Sequence, residues 1–80
     1  MKHVTLEFAR AFEVALTGDR AQAAVMTLPP GETTGGDDNV HGSSDQWLFV
    51  VSGRGEAVVA GKRQALIRHS LLLIEAGEPH

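Results

Sequence analysis

Cysteine is missing from the chain, and so is tyrosine. Without cysteine there is no disulfide staple and no thiolate zinc site. Without tyrosine or cysteine, and with Lys62 on an expected turn, no residue stands out as a general base. Long apolar runs are lacking too. Met1 to Phe8 holds no apolar stretch of the about 7–15 residues found in a signal peptide. No segment approaches the roughly 20 residues of a membrane-spanning helix, so a cytoplasmic protein with no membrane partner is expected. Positive charge is scarce: the formal net charge is −3, and Lys62, Arg63 and Arg68 form the one basic cluster. Such a cluster reads as decoration of an exposed turn and strand, and the lack of a basic stripe argues against nucleic acid as the main partner.

What is there is a chain of 80 residues, 42% of them hydrophobic. That is an ordinary apolar share for a globular protein, and residues 1–80 make a single domain near the size where one core is marginal. A chain so small needs help from a partner chain, a metal or further residues.

The patterning predicts strands. Val4, Leu6 and Phe8 alternate with His3, Thr5 and Glu7, the signature of a half-buried strand over residues 3–8. Ala9 to Phe12 reads either as a helical turn or as an irregular link. Thr17-Gly18-Asp19-Arg20 is a turn signal between Glu13–Leu16 and a return strand over Ala21–Leu28, which Pro29-Pro30-Gly31 ends. Trp47 to Val51 is the clearest strand. Both its faces are apolar, so both should be covered, the second most economically by a sister subunit. A homodimer is therefore expected, with Trp47 in its interface or in the core. Ser52-Gly53-Arg54-Gly55 reads as a hairpin turn to a strand over Glu56–Ala60, and Gly61-Lys62-Arg63 as the next turn. Strands over Gln64–Arg68 and Ser70–Ile74 follow, then a turn over Glu75–Pro79. Short strands with a turn about every ten residues indicate an all-β sandwich or barrel.

Residues 35–55 organise the rest. A glycine-rich polar loop delivers Asn39 and His41, two apart and so on one side of an extended chain. Gln46 opens the following strand and shares its face with Leu48 and Val50. Taken alone, His41 is a solvated loop residue, Asn39 a turn former and Gln46 a polar group at a strand start. His80 alone is a fraying end, and His69 an exposed hairpin residue.

Together these features resemble the cupins, small jelly-roll (double-stranded β-helix) barrels. Their first motif runs His-x-His, three or four residues, Glu, six residues, Gly. In this sequence His41 takes the second histidine place, Gln46 follows after four residues and Gly53 after six more, while Asn39 falls where the first histidine would be. The second motif, Pro-x-Gly-x-x-His, is matched by Glu75-Ala76-Gly77-Glu78-Pro79-His80 over residues 69–80. The Pro29–Gly31 lead-in and the Gly53-x-Gly55 turn fit as well. Asn39 and Gln46 depart from the family by replacing a His and a Glu; Glu75 and His69 replace a proline and a glycine. Because the sequence stops within the second motif, the jelly-roll barrel is expected to be incomplete.

The resemblance implies a metal site of His41, Gln46, His80 and Asn39 in one cavity, holding a divalent transition metal: Zn, Ni, Fe or Mn. Asp37, Asp38 and Asp45 are close enough in sequence to supply the missing negative charge. Leu48, Val50 and Val58 would form the apolar wall. Two function classes follow. One is a metal-dependent enzyme, of oxygenase or isomerase type, on a small polar substrate; the other is a non-catalytic homodimeric module binding metal or a small molecule. A fold supports both.

Overall fold

The computed structural model describes residues 1–8, 11–35 and 44–80. All regular structure in them is β: β1 (Phe12–Thr17), β2 (Gln22–Met26), β3 (Gln46–Phe49), β4 (Gly55–Val59), β5 (Lys62–Leu66) and β6 (Leu71–Ile74). The strands pair as three two-stranded antiparallel sheets, β1–β2, β3–β6 and β4–β5. Among the described residues no sheet closes on itself, so the barrel is incomplete. The chain divides into two compact units, Met1–Thr33 and Thr34–His80.

In the first unit the expected hairpin is present. Thr17 pairs with Gln22, and the turn between them is closed by the Gly18 N–H donating to the Ala21 carbonyl at 2.8 Å. A bulge between Val14 and Leu16 inserts Ala15 and brings Leu16 opposite Ala23. An extra residue flips the alternation, which puts Leu16 on the face of Val25; both are half-buried. The strand expected over residues 3–8 does not form. Val4, Leu6 and Phe8 are all exposed, and that stretch has no partner strand among the described residues. Alternation marks a segment able to pair, but a strand exists only where a second edge accepts its backbone bonds. The contacts recorded there are single: Lys2 Nζ donates to the Thr17 carbonyl, and Thr27 Oγ1 to that of Phe8.

In the second unit β3 spans Gln46–Phe49 rather than reaching Val51, although Val50 continues the ladder. Its N–H donates to the Ser70 carbonyl at 2.9 Å, and the His69 N–H donates back to Val50 at 2.7 Å. Ser52 to Gly55 is not a hairpin turn. Gly53, at φ 80°, bends the chain out of one sheet and into the other, because β3 pairs with β6 and β4 with β5. The tight hairpin is β4–β5, closed by Ala60 and Gly61 at φ 49° and 77° between the paired Val59 and Lys62. Two successive left-handed residues make the turn whose twist suits a two-residue hairpin. Consequently β5 begins at Lys62 and ends at Leu66, two residues ahead of the strand expected over Gln64–Arg68.

Directly opposed residues of an antiparallel pair share a face. One face of β3–β6 therefore carries Gln46, Leu48, Leu72 and Ile74; the other carries Trp47, Phe49, Leu71 and Leu73. The first is the inner face. Ile74, at 4% exposure, is the one buried hydrophobic residue among those described, and Leu48 and Leu72 are half-buried. The other face is open: Trp47 is 65% exposed, Phe49 55% and Leu71 62%. Trp47 is thus not a core residue of this chain.

Candidate functional site

Three sets of hydrogen bonds build the second unit's C-terminal corner. Gln46 starts β3 opposite Ile74, so Asp45 stands where the chain leaves β6. The Asp45 carboxylate accepts the Ala76 N–H at 2.8 Å, an ionised acceptor on a backbone donor and hence a stronger class of bond. Beyond it the turn closes on itself: Glu78 Oε1 accepts the Glu75 N–H at 2.8 Å, and the Glu78 N–H donates to the Glu75 carbonyl at 3.1 Å. Gly77, at φ 87°, supplies the left-handed residue that the reversal needs. Finally the Ala60 N–H donates to the Pro79 carbonyl at 2.9 Å, which ties the segment to the β4–β5 hairpin.

These bonds hold His80. It is half-buried rather than frayed, with Nδ1 3.1 Å from the Glu78 carbonyl oxygen. Gln46 is exposed at the end of the sheet from which the turn to His80 departs. Asn39 and His41, like Asp37 and Asp38, lie outside the described residues. Among the described residues no three His, Cys, Asp or Glu side chains come close enough to share an ion. Asp45, expected near the metal, has one carboxylate oxygen engaged by the backbone of Ala76.

The apolar wall needs one correction. Leu48 and Val50 are half-buried, but Val58 is 44% exposed and shares its face of β4–β5 with Glu56 and Arg63, which pair at 2.6 Å. The inward residues of β4 are Ala57 and Val59, both half-buried. Strand faces follow from which residues pair, and β4 pairs with β5 through the Ala60–Gly61 turn and not with β3 through Ser52–Gly55.

His69 is exposed as expected, yet it is not idle. Its φ is 73°, uncommon for a residue with a Cβ. The ring stacks on Phe49 with centroids 6.0 Å apart and planes 9° from parallel, while Arg68 Nε donates to its Nε2 at 3.3 Å. The sequence carried no signal for this, because the stack exists only once β3 and β6 are paired.

Residues 24–80 match the family described as Cupin domain. The chain belongs to the cupin family. The matched span begins within β2 and takes in all of β3 to β6, with the glycine-rich loop and the corner that carries His80. No curated protein matches the chain. Membership in the cupins accounts for the all-β architecture, and no helix among the described residues is long and apolar enough to cross a membrane.

Proposed function

We propose that this cupin binds a divalent transition metal, Zn, Ni, Fe or Mn, through His41, His80, Gln46 and Asn39. The observation that carries the reading is the imidazole of His80. Donation of its Nδ1–H to the Glu78 carbonyl, 3.1 Å away, selects the tautomer whose lone pair is on Nε2, the usual arrangement of a ligating histidine. The corner around it is built to hold that ring, since Asp45 and Ala60 anchor the backbone on either side of the turn. Two imidazoles and two amide oxygens suit a borderline divalent ion. With no carboxylate among the four, a bound ion would keep its full charge and would supply Lewis-acid polarisation for chemistry of the oxygenase or isomerase type on a small polar substrate. Leu48 and Val50 keep water from one side, and Gln46 and Asn39 orient the substrate's polar groups.

Metal analysis of the purified protein and of three variants tests this. His41→Ala and His80→Ala are expected to lower the bound metal at least tenfold, and His69→Ala to leave it unchanged. Equal metal content in all three variants refutes the assignment. Substrate turnover by the loaded protein then separates the enzyme from a second reading, a non-catalytic homodimeric module in the cytoplasm. The open apolar face of β3–β6 favours that second reading.

A further inference from the structure

Building on the homodimer reading, we infer that the outer face of β3–β6 is a two-fold interface in which a second copy packs with its strands antiparallel to the first. Trp47, Phe49, Leu71 and Leu73 form this face, and none carries charge. Its two ends do. Continuing the strand alternation, Asp45 follows Trp47 and Glu75 follows Leu73 at one end. At the other end His69 stacks on Phe49 and Arg68 Nε reaches the His69 ring at 3.3 Å, which fixes a guanidinium beside the same face.

The two ends are about 17 Å apart along the strands, farther than charges interact through physiological salt. Each end therefore sees only what is set against it. A two-fold axis lying between the two faces and perpendicular to the strands lays the Arg68 end of one copy on the Asp45 and Glu75 end of the other, twice over. An axis along the strands would set like charges together at both ends. The charges thus select one arrangement, and the apolar centre supplies the attraction. A two-fold contact uses the same patch on both subunits, as a patch bearing both signs in this order allows.

Sedimentation equilibrium of the full chain, with circular dichroism to verify the fold, tests the inference. The wild type is expected to dimerise. Trp47→Asp should weaken the dimer by at least about 30-fold, the effect of losing a central aromatic anchor. Arg68→Glu should weaken it by about tenfold through two repelling ends, and Arg68→Glu combined with Glu75→Arg should restore it. A dimer unaffected by Trp47→Asp keeps the homodimer but overturns this face. A dimer weakened by Arg68→Glu and not rescued by the double exchange overturns the antiparallel arrangement. A wild-type monomer at every concentration overturns both the homodimer and its surface.

Discussion

The two sheets of the second unit are of similar length but are held in different ways. β4–β5 is local: two strands joined by Ala60 and Gly61, so that one tight turn sets the whole register. β3–β6 joins segments separated by all of β4 and β5, and no single turn specifies it. What holds it is burial of Ile74 on the inner face, the backbone bonds of Val50 to Ser70 and His69 at one end and the Asp45–Ala76 bond at the other. A hairpin is stabilised mainly by its turn, whereas a non-local pair needs side chains that repay a long loop closure. The candidate metal site belongs to the second kind, since Gln46 and His80 are related through β3–β6.

Ile74→Ala should break the comparison most strongly. A cost of about 3 kcal/mol is expected from the lost burial and the cavity it leaves, measured as a fall in the urea midpoint. Amide exchange should show β3–β6 opening before β4–β5; equal loss of protection in both sheets would show that they unfold as one. Asp45→Ala comes next, at about 1–2 kcal/mol for the charged acceptor of the Ala76 N–H. It should loosen the corner that carries His80 and lower metal retention, and Asp45→Asn should recover most of the stability.

Two smaller changes sharpen the other side. Ala60 holds a left-handed conformation that a Cβ disfavours. Ala60→Asn should raise stability by about 0.5–1 kcal/mol, because Asn-Gly is the preferred pair for this turn; the melting temperature reports it. Arg63→Ala should change stability by less than about 0.5 kcal/mol. Its 2.6 Å pair with Glu56 lies on the surface, with the arginine side chain 75% exposed. A larger loss would mean that the outer face of β4–β5 is covered in solution.

How far the sequence reached depended on whether a feature was local. Thr17-Gly18-Asp19-Arg20 announced the β1–β2 hairpin, and the turn is there. The His-x-x-x-x-Gln spacing and the Gly77-x-x-His80 ending announced the cupin family, which the match over residues 24–80 shows. Ser52 to Gly55 misled, because a glycine-rich bend between two apolar runs looks the same whether the runs pair or part company. Residues 3–8 misled for a related reason, since alternation cannot supply a partner edge. The placing of Val58 on the inner wall failed with the turn that preceded it. At the site, Gln46 and His80 were legible as candidates. The Asp45–Ala76 bond and the His69–Phe49 stack were not, because each joins residues that only the β3–β6 pairing brings together.

The sequence alone therefore determined the class of fold and the family, both of which rest on residue types and short spacings. The tertiary structure decided which strands pair, which face of β3 looks inward and how the His80 ring is held. Strand partners are chosen by backbone bonds between distant segments. That choice depends on all the competing edges together, and no local run of residues encodes it.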